Sequence, residues 1–376
     1  MTPVAVRRRA RKIGKRVREA RMLVTALRFP YRPVNAHLIP VRRCNLSCAY
    51  CNEYDDRSAP VPTGDVLQRI DRLVTLGTGV VTLSGGEPLL HPDLDQIVSH
   101  IRRRGAIATV ITNGYLLTPA RIVRLNRAGL DHLQISIDNV QPDKVSKKSL
   151  KVLDQKLVSL AAIAEFDVTV NSVVGSGIGN PEDALTVARR ARELGFSTTV
   201  GIIHDGTGKL LKLDEPQRLM LERVVALGKS AFDYANYNRF QKNLANGQPN
   251  VWQCRAGARY LYVCEDGLVH WCSQQRGRPG IPLAQYRVDD LHREYHTVKS
   301  CAPLCTVGCV HRVAQVDELR EDPQRTLAQW FAAPGQGQPP RLPLPVKILK
   351  WAFITSPGRD LFRKAVAGVS GGTRRG

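Results

Sequence analysis

The chain has 376 residues, 43% of them hydrophobic and 23% charged. That composition supports a sizeable core and excludes a wholly disordered chain. No uncharged apolar run approaches the ~18 residues that a membrane-spanning helix needs. The formal net charge is +22, concentrated at the ends: residues 1–21 hold nine basic residues against Glu19, and residues 341–376 hold eight against Asp360. The basic start is followed by no unbroken apolar run and no small-residue cleavage site, so the expected location is cytoplasmic.

Residues 1–28 predict one helix. Val6, Ala10, Ile13, Val17, Ala20, Val24 and Leu27 recur at steps of three and four on one face, with arginine and lysine opposite; Pro30 and Pro33 end it. After an extended run at 34–41 the chain alternates. Strands are predicted at Val80–Leu83, Ala106–Thr112, His132–Ile137, Asp167–Val174 and Thr198–His204. Helices are predicted at Val66–Leu76, Leu94–Arg104, Pro119–Ala128, Ser149–Ala164 and Pro181–Leu194, with one more at Glu215–Gly228. Six strands separated by helices imply an α/β fold, a partial (β/α)6 parallel barrel, with its chemistry where strands end and loops begin.

The rhythm breaks near residue 235. Residues 250–312 are short, turn-rich and dotted with cysteine, and read as a small cysteine-rich C-terminal domain held together by metal. Ala333–Pro345 is rich in proline and glycine, and the last apolar element, Val346–Ile354 with Trp351 and Phe353, is flanked by lysine and arginine. The expected division is a basic amphipathic helix at 1–33, a core at 34–235, the cysteine-rich region at 236–320 and a basic tail at 321–376.

The nine cysteines fall in three sets: Cys44, Cys48, Cys51; Cys254, Cys264, Cys272; and Cys301, Cys305, Cys309. Clustered cysteines in a reducing compartment point to metal. Three thiolates within eight residues can serve one cluster and leave one iron open, as a catalytic metal requires. The rival is zinc, with His91 or His100 as the missing ligand. Directly after the strand at Val80–Leu83 stands Ser84-Gly85-Gly86-Glu87-Pro88: two glycines that let backbone donors approach a ligand, beside a carboxylate able to hold an ammonium group.

Cys-x3-Cys-x2-Cys after the first strand and Gly-Gly-Glu-Pro after the second resemble the radical S-adenosylmethionine (radical SAM) superfamily over about residues 35–235. Thr112-Asn113-Gly114, Ser136-Ile137-Asp138, Asn171, and Tyr50 just before the last cysteine agree in position. The resemblance implies a [4Fe-4S] cluster on Cys44, Cys48 and Cys51, whose open iron takes the amino and carboxylate groups of S-adenosylmethionine. Gly85, Gly86 and Glu87 would hold the methionine amino group. Ser136 and Asp138 would lie near the ribose, and Asn113 or Asn171 near the carboxylate or ribose. Reductive cleavage would then give a 5'-deoxyadenosyl radical that removes hydrogen from substrate, with electrons from a reductase or a flavodoxin- or ferredoxin-type donor.

The second region is similar to the SPASM extension of some radical enzymes: Cys254, twelve residues, Gly267, four residues, Cys272, then Cys301, Cys305 and Cys309. The match is partial, since a full extension often carries seven cysteines. The resemblance implies one or two auxiliary iron–sulfur clusters, with Cys264 among the six candidate ligands and His311, His292 or His296 able to complete a site; zinc is the alternative. Glu265–Cys272 reads as a hairpin with Gly267 in its turn. Trp252, Tyr260 and Tyr262 read as local core, and His204-Asp205 as either substrate-facing or an ordinary loop pair. The lysines around Lys147 read as a solvated helix start, and Arg189, Arg190 and Arg192 as a solvated face.

The basic ends carry the substrate expectation. A helix with one apolar and one basic face suits an anionic membrane surface, each basic residue adding roughly 1 kcal/mol. The leading expectation is therefore a peripheral enzyme on the inner membrane face acting on a lipid or another membrane-associated small molecule. The alternative is a maturase that modifies a ribosomally made peptide. An RNA-modifying enzyme ranks lower, because no aromatic residue stands among the N-terminal arginines to stack bases. So does a non-catalytic iron–sulfur carrier, which needs no methionine site.

Overall fold

The computed structural model describes residues 3–175, 177–205, 209–228 and 231–330, with Trp351 and Pro357 beyond. The rest of the tail, including Phe353, lies outside the described residues.

The order is α1 (Pro3–Arg28), β1 (Asn35–Val41), α2 (Thr63–Thr75), β2 (Val80–Gly85), α3 (Leu94–Arg103), β3 (Ile107–Thr112), α4 (Pro119–Ala128), β4 (His132–Ser136), α5 (Leu150–Ile163), β5 (Asp167–Gly175), α6 (Glu182–Glu193) and β6 (Ser197–Ile203). All six strands are parallel and lie in chain order, the six βα units expected. Local chemistry sets the boundaries. In α4 the Thr118 side chain accepts the Arg121 N–H at the N-cap, Pro119 opens the helix, and Gly129 ends it in the left-handed conformation (φ 83°). In α3, Leu94, Ile97, Val98 and Ile101 form one buried stripe. The core packs such stripes against Leu38, Val81, Leu83, Val110, Leu133 and Val170 of the strands.

Beyond β6 come α7 (Glu215–Leu227), α8 (Ala231–Asn236), a π-turn at Tyr237–Gln241 and α9 (Lys242–Ala245). The cysteine-rich region then adds β7 (Tyr260–Val263), β8 (Leu268–His270), β9 (Pro279–Pro282), α10 (Val288–His296), α11 (Gly308–Glu321) and α12 (Pro323–Trp330). It is not a separate body. β7 pairs in parallel with β1, and β8 and β9 follow as antiparallel hairpins, so one nine-stranded sheet crosses the expected boundary near residue 235. The hairpin at Glu265–Cys272 forms as expected, with Gly267 at φ 81°. Tyr260 and Tyr262 are buried, with Trp252 packed against them, so metal is not the only support of this region.

The α1 helix forms, but it is turned the other way from the membrane expectation. Arg11 reaches Glu165 (2.9 Å), Lys15 reaches Asp167 (2.6 Å), and Arg18 pairs with Asp131, while the Arg8 guanidinium donates to the carbonyls of Ala161 and Ala164. The basic stripe therefore lies against the acidic entry ends of β4 and β5, and Val6, Ile13 and Val17 face outward. Arg259, fully buried, donates to the carbonyls of Ala26, Phe29 and Arg32 and pairs with Asp317, tying the end of α1 to β7 and α11. No helix of the described residues is long and apolar enough to cross a membrane.

Candidate active site

The loop after β1 carries Cys44, Cys48 and Cys51 as free thiols, half-buried, buried and half-buried in turn. The Cys44 N–H donates to the Asp55 carbonyl (2.9 Å) and the Cys51 N–H to the Cys48 carbonyl (3.0 Å), which folds the loop back on itself. The Asn113 side-chain amide donates to Cys44 Sγ (3.6 Å) and Asn45 Oδ1 (2.8 Å), and Cys48 Sγ lies 3.5 Å from Ser146 Oγ. Burial pushes the Cys51 thiol up to about 11 and raises that of Cys44. Buried thiols stay protonated unless a cation offsets the lost hydration. Three soft donors on one short loop therefore fit an iron–sulfur cluster. The zinc alternative fails in its fourth ligand: His91 contacts the Val61 carbonyl and receives the Asp93 N–H, and His100 pairs with Asp71 of α2 (2.6 Å).

The Gly-Gly-Glu turn is tied by its backbone to the segment that leads into the cysteine loop. The N–H groups of Gly86 and Glu87 donate to the carbonyls of Val41 (3.1 Å) and Arg43 (3.0 Å), so these donors brace the cysteine loop instead of facing outward. A Cβ on Gly86 would sit 2.1 Å from the Arg42 oxygen, and Gly85 adopts φ 117°, so both positions require glycine. Glu87 is fully buried. Its Oε1 accepts from the Leu89 N–H (2.9 Å) and Thr112 hydroxyl (2.7 Å), and its Oε2 from the Asn113 N–H (2.8 Å). Burial still raises its pKa, against the lowering by these bonds.

Asp138 is also fully buried. Its Oδ2 accepts from Tyr50 (2.5 Å) and Ser146 (2.7 Å) and pairs with Lys148 Nζ (3.0 Å). Lys148 also contacts Tyr50 Oη and lies over its ring, 5.0 Å from the centroid. This half-buried lysine was missed in the sequence, where its neighbours suggested solvent; only its place in a lysine-rich stretch marked it. Burial alone would lower the Lys148 ammonium, but Asp138 and Tyr50 raise it overall. Asn171 accepts the Thr199 hydroxyl (2.9 Å) through Oδ1, and Ser136 and Asn171 both line a cavity of about 340 Å³. Strand ends of the barrel form one wall of this cavity, and Ser273, Gln274 and Thr306–Cys309 of the cysteine-rich region form another. His204, at the end of β6, bonds Gln274 across it, so it faces the cavity.

The six remaining cysteines do not act alike. Burial raises Cys305, and the thiols of Cys254, Cys272 and Cys301 push it the same way, so these three are within electrostatic reach of it. Burial brings Cys254 up to about 11 and Cys272 up to about 12. Cys309 lines the cavity instead. Cys264 is fully buried beside Asp266 and His270. His270 Nδ1 accepts the Gly277 N–H (2.9 Å), which leaves the imidazole proton on Nε2 and makes that nitrogen a poor ligand for a metal. A four-thiol set fits one auxiliary cluster. The histidines proposed to complete a site are engaged in stacking: His292 on Tyr31 (3.6 Å between centroids) and His311 on Phe240 (4.2 Å); His296 lies beside Tyr31 as well (6.0 Å).

The Radical SAM superfamily profile matches residues 38–208. The chain is 34% identical over 251 residues to a GTP 3',8-cyclase of Synechococcus sp. (strain CC9902), covering 61% of this chain and 71% of that one. It is 36% identical over 115 residues to a PqqA peptide cyclase of Gluconobacter oxydans (30% and 32%). It is 30% identical over 189 residues to an AdoMet-dependent heme synthase of Methanosarcina barkeri (48% and 54%). It thus spans about a third to a half of the latter two. In fold it resembles Streptococcus suis SuiB bound to precursor peptide SuiA, with TM-score 0.51 and 14% identity over 82% of this chain and 69% of that one. The chain belongs to the radical SAM superfamily, whose members use a [4Fe-4S] cluster and S-adenosylmethionine.

Proposed function

We propose that this protein is a radical SAM enzyme that modifies a peptide. The observation that carries this reading is the cavity shared by two thiol-bearing regions: the three-cysteine loop and strand ends on one side, the loops around the four-cysteine set on the other. An opening lined by both apolar and polar groups, among them Ile203, Val224, Ser136 and Asn171, can take a side chain presented on its own backbone. The relatives named PqqA peptide cyclase support the same class. The lipid expectation loses its footing, because the basic stripe of α1 is spent on Glu165, Asp167 and Asp131.

In this reading Cys44, Cys48 and Cys51 hold the [4Fe-4S] cluster. With S-adenosylmethionine bound, that group would supply the power to remove a hydrogen atom from the substrate. The chain's own residues position and shield. Asn113 orients Cys44 by its amide, and Glu87 holds Asn113 in place. Lys148 and Asp138 fix the Tyr50 ring beside Cys51. Ser136 and Asn171 present polar groups to whatever enters. Cys254, Cys272, Cys301 and Cys305 hold one auxiliary cluster, and a reductase or flavodoxin- or ferredoxin-type protein supplies electrons.

The test is 5'-deoxyadenosine formation by anaerobically reconstituted full-length protein with reductant and S-adenosylmethionine. Synthetic peptides from short reading frames beside the gene would be compared with a total lipid extract, with Cys48→Ala as control. Stimulation by a peptide and a mass change in that peptide are expected. Stimulation by lipid alone would overturn the reading.

A further inference from the structure

A second cleft, of about 600 Å³, lies between α1 and the turn that leads into β4, at the entry ends of the strands. The thiol loop follows the opposite end of β1, so this cleft is no part of the cavity described above. Six cations line it: Arg8, Arg11, Lys12, Lys15 and Arg18 on α1, and Arg102 on α3. Only three carboxylates line it with them, Asp131, Glu165 and Asp167. Two of the three are covered by their partners. Glu165 gives one oxygen to Arg7 and the other to Arg11, and its side chain is 8% exposed. Asp131 divides its oxygens between Arg18 and Arg102 and is 3% exposed. Arg11 and Arg18 stay 36% and 28% exposed, so an entering molecule meets guanidinium before carboxylate.

The pairs that seat α1 therefore leave positive charge over. Among the described residues neither Arg8 nor Lys12 has a carboxylate of its own. Arg8 donates to the Ala161 and Ala164 carbonyls at the end of α5, and Lys12 is exposed and acts on Asp167 only through space. Burial lowers the Arg102 guanidinium; Asp131 opposes this, while Arg18 and Arg11 add to it, so like charges are crowded here. The Arg18 Nε N–H is buried and has no hydrogen-bond partner.

We propose that this cleft binds a compact polyanion of the phosphate class, a molecule bearing two or more linked phosphate groups, between Lys12 on one wall and Arg102 on the other. The surplus of six cations over three carboxylates calls for dense negative charge. Each phosphate group carries roughly one to two charges near neutral pH, and guanidinium matches its oxygens in a two-pronged geometry. An acidic peptide spreads the same charge over several residues. The site is independent of the peptide reading and neither stands nor falls with it.

The test is titration calorimetry of anaerobically reconstituted full-length protein with inorganic pyrophosphate in about 0.1 M salt. Saturable binding is expected, weakened about fivefold in Lys12→Ala and about tenfold or more in Lys12→Glu. Lys12 seats nothing, so both variants should melt at the parent temperature. Any heat of iron chelation is common to parent and variant, so the difference between them reads the cleft. Arg16→Ala removes an exposed charge of α1 outside the cleft and should leave binding unchanged. Equal weakening by Arg16→Ala would reveal general attraction to a basic surface and overturn the site. Triglutamate binding as tightly as pyrophosphate would overturn the phosphate class. No saturable binding at millimolar pyrophosphate would overturn the proposal outright.

Discussion

Glu87 and Asn113 are joined by a 2.8 Å hydrogen bond from the Asn113 main-chain N–H to Glu87 Oε2, across 26 positions of sequence. The same asparagine sends its side-chain amide to Cys44 Sγ. The turns after β2 and β3 and the thiol loop after β1 are thereby one connected unit, and Glu87 is its hub.

Glu87→Gln keeps the shape and removes one acceptor. Three donors converge on the carboxylate, so the new amide must face at least one of them donor to donor. A loss of about 1–3 kcal/mol is expected from the unsatisfied group, read by denaturant unfolding at neutral pH. Unchanged stability would mean that the three bonds carry little.

Alanine substitution should sort the C-terminal thiols. Loss of Cys254, Cys272, Cys301 or Cys305 should lower bound iron by about four atoms per chain, one cube, whereas Cys264→Ala and Cys309→Ala should retain it. Iron and sulfide analysis of anaerobically purified protein decides. An equal loss from all six would place two clusters there.

Lys148→Met leaves the buried Asp138 carboxylate without its cation, at an expected cost of about 3–5 kcal/mol. Adding Asp138→Asn should recover part of that loss, since the buried charge goes with it. A double-mutant cycle in thermal unfolding measures the coupling, and additive effects would contradict the pairing.

His37 is buried beside Ser84 and its pKa is lowered to about 4 by burial, from 6.5. The fold thus holds it neutral, while the unfolded chain takes up a proton below 6.5. Its contribution is complete above 6.5 and is lost as pH falls toward 4, about 2 kcal/mol between about pH 8 and about pH 5. His37→Gln should flatten that part of the stability profile. An unchanged acid slope would assign it to other groups.

Asp131 anchors α1 through Arg18, pairs with Arg102 (3.2 Å), and accepts the Ala108 N–H (3.0 Å). Asp131→Ala should loosen the helix by on the order of 1 kcal/mol, about fivefold in opening. Trypsin cleavage after Arg16 or Arg21 should quicken accordingly. Cleavage at the parent rate would show that the helix is held elsewhere.

Much of the fold was legible because its signals are local. The 3.6-residue stripes of α3 and α4, the short apolar runs of β1 to β6, and their alternation are properties of neighbouring residues. So are three thiols in eight residues and the glycine pair that follows β2. Gly267 marked its own turn. By contrast, β7 to β9 are strands of three or four residues, too short for a period, and the pairing of β7 with β1, which joins them to the sheet, is a contact across more than 200 residues.

The sequence alone determined the class of chemistry, because the thiol loop and the Gly-Gly-Glu-Pro turn are each written within a few residues. Tertiary structure decided which thiols come within electrostatic reach of one another, which face of α1 turns inward, and that Lys148 turns in to Asp138. Each of these depends on packing between distant segments: Cys254 with Cys305, Arg18 with Asp131, Lys148 with Asp138. A helix with an apolar and a basic face has two ways to lie. The buried acids at the entry ends of β4 and β5 chose the basic one, since desolvated carboxylates require cationic partners.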